Sequence, residues 1–449
     1  MIGYLLLLVS LLLYFRPRFR HWSYFLYLSF MMGYGGGFGL WTDSVIGTKN
    51  GDLAIIYTFL VSLIMLLKHQ YKLPKWSFVV QYKWFIVFLF ASILFSSFHY
   101  HFTPFQILQG GRSFLLIFAF PILINIKQKE FDKVLHLLIN VCVLTSALYV
   151  LQISTRHAVM PYGVFEMDST TGLPRFYNSP ANLDVFLALT FLKPEVFRGK
   201  INYYRILFFL ALVCTLGRTQ ITTTLLLVLV ALFFDGKMKR AGKAVMVLGV
   251  LLLPFMDMLV NRFSGDGASD FSDIMAGNYK EGYVQGQDKG SLLYRFAWVY
   301  ERYDYIIRRP FGEQFFGLGL ISDSQPWVGR NYDFKIGLPN LETGEAIQLS
   351  TPDISYGNML TKLGLGGTAV YIIFILSLIS FLYKNRKDNC FVLLSAAALM
   401  MTVVRSFSGS TLSEVGSLAI YFLFMSQFLH NKNIPSNDKD NSDNILVQV

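Results

Sequence analysis

The stretch Ile206–Lys243, ILFFLALVCTLGRTQITTTLLLVLVALFFDGKMKRAGK, decides the fold class. Two apolar runs, 206–216 and 220–234, are joined by a short turn carrying Arg218. Lys237, Lys239, Arg240 and Lys243 follow the second run. A bilayer core about 30 Å thick takes roughly 20 helical residues to cross. Runs of this kind, extended into the interface at both ends, read as a helical hairpin through a membrane. Arg198, Lys200 and Arg205 precede the first run, so basic clusters flank the hairpin on one side and Arg218 marks the other. The positive-inside rule puts the clusters in the cytoplasm and Arg218 outside.

The same pattern runs through the whole chain. Its apolar runs are 2–15, 23–41, 53–67, 84–98, 113–126, 134–153, 181–192, 206–216, 220–234, 245–260, 367–383, 390–404 and 412–429. Basic clusters follow every second one: Arg16–Arg20, Lys68–Lys83, Lys127–Lys133, Arg198–Arg205, Lys237–Lys243 and Lys384–Lys387. A missed or extra helix would break this alternation. The composition agrees: 54% of residues are hydrophobic, 15% are charged and the mean hydropathy is +0.46, too little polar surface to clothe a soluble protein of this length. We therefore expect an all-α, polytopic membrane helical bundle of about 13 spans, forming one transmembrane domain over residues 1–430. Its one large outer loop covers 261–358, and a disordered cytoplasmic tail covers 431–449. The basic residues follow the first run, so that run is expected to be an anchor, not a cleaved leader.

The net charge of +11 is spread in short clusters between apolar runs, which suits membrane orientation and not nucleic acid. Cys142, Cys214 and Cys390 lie inside or at the edge of apolar runs and form neither a disulfide framework nor a metal pattern. Signatures of nucleotide-binding loops, nucleophile elbows and zinc proteases do not occur. His99 and His101 lack a further ligand set, so a structural role at the interface is expected of them and no metal site.

Arginines on the outer side run against the orientation rule. They are Arg112 in QGGRSF, Arg175 in GLPRFYNSPAN, Arg218 in TLGRTQ, and Arg295 in the outer loop. Arginine near a membrane tends to mark a functional or paired position, and its planar fork suits phosphate and pyrophosphate. Snorkelling or a structural ion pair is the plainer explanation for any one of them. Arg295 lies in SLLYRFAWVYERYDYIIRRPFG, where Leu292, Phe296, Val299, Tyr303 and Ile306 or Ile307 recur at helical spacing. Arg308, Arg309 and Pro310 should end that helix. Where the loop rejoins the bundle stands TPDISYGNMLTKLGLGG. There Asp353 is either a helix cap or a general base for a hydroxyl acceptor.

From about Arg112 onward the chain resembles the O-antigen polymerase and ligase superfamily of bacterial envelope glycosyltransferases. Asp353, Ile354, Ser355, Tyr356 and Gly357, then Leu360, Leu363, Gly364, Leu365 and Gly367, align without a gap to a family pattern reading H-N-S-Y-L-x-x-L-x-x-L-G-L-x-G. Arg295, Trp298 and Phe316–Gly319 match an arginine, a tryptophan and a G-x-G of the family's outer loop. Thr215–Arg218 is similar to a threonine-serine-arginine turn, with Gly217 in place of serine. Ligases carry histidine where this chain has Asp353, whereas the polymerase branch tolerates aspartate.

The resemblance implies a C-type glycosyltransferase fold in the bacterial inner membrane, with no metal or cofactor. It implies lipid-linked substrates, oligosaccharides on undecaprenyl pyrophosphate, and a polysaccharide chain-length regulator and a flippase as partners. It implies catalytic roles for Asp353, Arg295 and Arg218. Substrate contacts are expected at Arg112, Arg175, Tyr356 and Trp298, the last by stacking on a sugar face. Transfer of polymer to lipid A-core is the alternative. A flippase is a further one, although no internal repeat of the kind common in transporters is visible.

Overall fold

The computed structural model describes residues 2–32, 50–71, 73–160, 165–167, 172–176, 178–236, 242, 291–337, 347–351 and 353–432. The expected span at 245–260, the loop before 291 and nearly all of the expected tail lie outside these residues. The described chain is mostly helical. Its first helices are α1 (Ile2–Tyr14), α2 (Arg20–Met32), α3 (Asn50–Leu67), α4 (Val79–His99), α5 (Pro104–Leu115), α6 (Phe120–Ile124) and α7 (Gln128–Thr155). A small antiparallel ribbon follows, β1 (Phe165–Met167) and β2 (Pro174–Phe176). Then come α8 (Leu183–Leu192), α9 (Ile201–Cys214) and α10 (Arg218–Phe234). The loop expected outside contributes α11 (Ser291–Ile307), α12 (Phe311–Phe316) and α13 (Pro326–Asn331), and the chain returns through α14 (Ser355–Lys384), α15 (Cys390–Arg405) and α16 (Ala419–Lys432).

Four stretches are long and apolar enough to cross a membrane: Val79–His99, Pro104–Ile124, Gln128–Thr155 and Ser355–Lys384. Helix α4 shows why this is a membrane protein. Tyr82, Phe85, Leu89, Ser92 and Ser96 face the core, yet the opposite face exposes Val80, Trp84, Val87, Leu94 and Phe98. Water would not tolerate such a stripe, whereas lipid tails match it. Inside, Phe78, Phe120, Phe374 and Phe381 pack ring against ring. Helices α8 and α9 have 10 and 14 residues, roughly 15 and 21 Å of rise, shorter than a bilayer core.

The described basic loops gather at one end of the bundle. Arg20 pairs with Glu130 at 3.5 Å, and Lys68 lies over the ring of Phe15. Lys193 lies over Phe391 and Arg386 over Phe234. The outer-loop helices attach at the other end. Orientation is testable directly: a cysteine replacing exposed Ser324 should react with an impermeant thiol reagent in intact cells, and one replacing exposed Lys129 should not. The reverse labelling would invert the topology.

Helix α14 is broken at Gly364, whose φ of 67° lies in the left-handed region. The break leaves the Thr361 carbonyl open, and the Leu318 N–H donates to it at 2.7 Å. The segment Gly317–Ile321 thus runs inside the bundle as irregular backbone, which requires internal partners. Tyr100 Oη donates to the Gly317 carbonyl, Tyr332 Oη to that of Leu318, and the Leu320 N–H to Ser96 Oγ. Backbone approaches this close admit only glycine: a Cβ at Gly317 would collide with the backbone of Gly364, and one at Gly110 with that of Ile321.

Candidate functional site

The residues before α14 are tied down one by one. Asp323 accepts from the Leu349 N–H at 2.6 Å and from Ser350 Oγ. Asn358 takes both polar groups of the Thr351 backbone, at 2.8 and 2.7 Å, and Thr361 Oγ1 donates to the Leu349 carbonyl. Ser355 clasps the far side: its N–H donates to the Ser406 carbonyl, its Oγ donates to that of Gly409, and it accepts from the Leu412 N–H. Asp353 sits between these two anchored stretches. It does not cap α14, whose N-cap position is Ile354 and carries no side-chain cap. The capping role weighed from sequence is therefore replaced by a half-exposed carboxylate held on a rigid turn.

Asp353 faces Arg295. Arg295 Nη2 lies 3.8 Å from Asp353 Oδ1, with the side chains 17% and 31% exposed. The separation is an ion pair and too long for a hydrogen bond, and Arg295 Nε is buried without a hydrogen-bond partner. The guanidinium thus keeps donor capacity beside an accessible carboxylate. Two residues 58 positions apart in sequence are brought together here.

Arg218 is the first residue of α10, after the extended Gly217. Helix α10 packs along α8 and α15, and its inner end meets the α14–α15 turn through Phe234 and Tyr383. Arg218 therefore shares the end of the bundle where α15 finishes, beside the start of α14. Arg175 lies on β2 opposite Glu166. That ribbon is seated on the outer end of α7, with Tyr149 Oη donating to the Phe176 carbonyl at 3.0 Å. Cys214, just before the Arg218 turn, packs on the same cluster. Arg112 is engaged elsewhere, in an ion pair with buried Asp52 at 3.4 Å.

The aromatic expectations need correction. Trp298 is fully buried: Gly357 packs against one part of its ring, and the guanidinium of Arg302 covers its face at 4.1 Å. No face is open to stack on a sugar. Tyr356 donates its hydroxyl proton to the Val403 carbonyl at 2.9 Å and rests on Phe407, so only its oxygen lone pairs and ring edge are left for a ligand. His99 contacts Glu313 at 3.1 Å, an interfacial structural contact. No group of three metal-ligating side chains occurs among the described residues.

Sequence reading missed two features. Arg405 closes α15 at the outer end and pairs with Asp184 at 3.7 Å. It is an outward arginine of the kind already singled out, hidden at the end of an apolar run. Arg302 is fully buried between Trp298 and Phe334, donating to the Gln348 carbonyl and to Glu301. Burial pushes its guanidinium down to about 10, partly offset by Glu301, so it stays charged at neutral pH. Glu301 in turn accepts from the Lys335 and Ile336 N–H groups.

No protein-family model matches the chain, and no curated protein does.

Proposed function

We propose that this chain is an inner-membrane glycosyltransferase that polymerises lipid-linked oligosaccharide repeat units on the outer face. The observation that carries the reading is the juxtaposition of Arg295, on α11, with Asp353, on the turn before α14, at the end of the bundle away from the described basic loops. In the proposed reaction the acceptor sugar's hydroxyl oxygen attacks the anomeric carbon of the donor chain. The bond from that carbon to the pyrophosphate oxygen breaks, and undecaprenyl pyrophosphate leaves. Asp353 takes the hydroxyl proton. Arg295 and Arg218 meet the charge that develops on the departing pyrophosphate, where fixed donors lower the barrier most. The energy is already in the sugar–pyrophosphate bond, so the reaction needs no nucleotide.

Alanine at Arg218 or Arg295 is expected to abolish polymer while protein abundance stays normal, a loss on the order of a hundredfold or more per variant. Lysine at either position should restore only part of it, because the bidentate fork is lost. The readout is the surface glycan of a strain lacking the chromosomal copy. Single repeat units on lipid A fit polymerase. Lipid A without glycan would point to a ligase, and lipid-linked units trapped inside to a flippase. Long-chain glycan in both alanine variants would remove these arginines from the reaction.

A further inference from the structure

At the opposite end of the bundle from Asp353, an open cavity of about 630 Å³ lies between the α1–α2 turn and the start of α7. Arg18, Lys127, Lys129 and Lys133 line it, with His21 and one carboxylate, Glu130. That carboxylate is already engaged: Arg20 Nη1 is 3.5 Å from one oxygen, and the Lys127 N–H donates to the other at 3.3 Å. Four cationic side chains therefore share one concave surface, and the only carboxylate lining it is spent. Burial first, and the Lys133 charge second, hold the His21 imidazole below its ordinary range. The start of α7, a 28-residue helix, adds the positive end of its dipole.

The surroundings distinguish this cavity from a merely solvated basic face. Phe15 and Phe19 on the same turn, and Trp22 at the start of α2, are exposed, and aromatic side chains at this level settle at the membrane–water interface. An isolated phosphate ion would use only the cations. A phospholipid would use both parts, its headgroup in the cavity and its acyl chains along the aromatic rim. Basic pockets between membrane helices at the cytoplasmic side suit such headgroups.

We propose that this cavity binds the phosphate headgroup of an anionic phospholipid of the bilayer, such as phosphatidylglycerol. The inference concerns the other end of the molecule and does not rest on the transferase reading. Native mass spectrometry of the full-length protein tests it, using equal amounts of phosphatidylglycerol and phosphatidylcholine. The protein should retain phosphatidylglycerol preferentially. The triple variant Arg18→Ala, Lys129→Ala, Lys133→Ala should bind it roughly a hundredfold less tightly, at about fivefold per cation. Lys384→Ala with Lys387→Ala removes two charges elsewhere on the basic end and should change nothing. These side chains are exposed, so folding should survive, and the single variant Lys133→Glu gives a second reading of the same loss. Equal retention of the two lipids, or undiminished binding by the triple variant, overturns the proposal. Displacement of the lipid by millimolar inorganic phosphate would also overturn it, making this an ion site.

Discussion

Replacing Asp353 with Asn should cut polymer formation by roughly a hundredfold or more, the usual scale of general base catalysis, with protein abundance unchanged. The substitution keeps shape and removes the proton acceptor. Thr351 Oγ1 also reaches the carboxylate, at 3.5 Å, and an amide oxygen can accept that contact equally. Asp353 caps no helix, and its turn is held by Asp323, Asn358 and Ser355. Its ion pair with Arg295 is partly exposed, and such pairs contribute about 0–1 kcal/mol to stability. The surface glycan of the variant strain should therefore collapse to single repeat units while immunoblots stay normal. Full ladders would show that Asp353 is no base, and the acceptor of the proton would have to be sought elsewhere.

Replacing Arg302 with Ala should act the other way, through stability. Loss of a fully buried side chain belongs among the large destabilising changes, above the roughly 1 kcal/mol typical of point variants, although Glu301, the partner left behind, is 24% exposed and keeps the Lys335 and Ile336 N–H donors. Here the substitution also removes the hydrogen bonds to the Gln348 carbonyl and opens a void between Trp298 and Phe334. Protein abundance should fall sharply, and detergent-purified material should unfold at a clearly lower temperature. Lysine should not rescue it fully, because an ammonium cannot lie flat between two aromatic faces while donating in several directions. A variant as abundant and as heat-resistant as the wild type would show that the Arg302 cluster does not hold the loop to the bundle.

The helical, membrane-suited character of the chain was legible because lipid demands long apolar runs, which survive in a single sequence; against about 13 expected spans, four stretches among the described residues are long and apolar enough to cross a membrane. The ends of α11 were legible too: Arg308, Arg309 and Pro310 follow it as expected. Its buried face was not. Of the apolar face expected at Leu292, Phe296, Val299, Tyr303 and Ile306 or Ile307, Ile306 is buried and Val299 half-buried, but Phe296 and Tyr303 are exposed, while Tyr294, Trp298 and Arg302 are buried. Beside a membrane an apolar side chain need not point to the protein core, and a buried arginine makes the inner face look polar. Helix α5 begins at Pro104, nine residues before the apolar run expected at 113, because Thr103 and Gln106 form a capping box. The TPFQ signal was present but masked by the polar residues after it. For the site, sequence order supplied Asp353 and Arg295 through resemblance, and only the fold could put them 3.8 Å apart. Arg112 illustrates the converse: its partner Asp52 lies in another helix, so its pairing could not be read along the chain.

The break at Gly364 gives the turn bearing Asp353 an unusual allegiance. Residues 355–363 belong to α14 by sequence, but Thr361 gives its carbonyl to Leu318 and its hydroxyl to Leu349, and Asn358 grips Thr351. Mechanically, this stretch is part of the outer cap. Arg295 lies on α11, which packs against α14, while Ser355 and Tyr356 fasten the same stretch to the end of α15. The carboxylate and the guanidinium thus sit where two parts of the chain meet, the loop segments through Leu318, Leu349 and Thr351 and the bundle through Ser406, Gly409 and Val403.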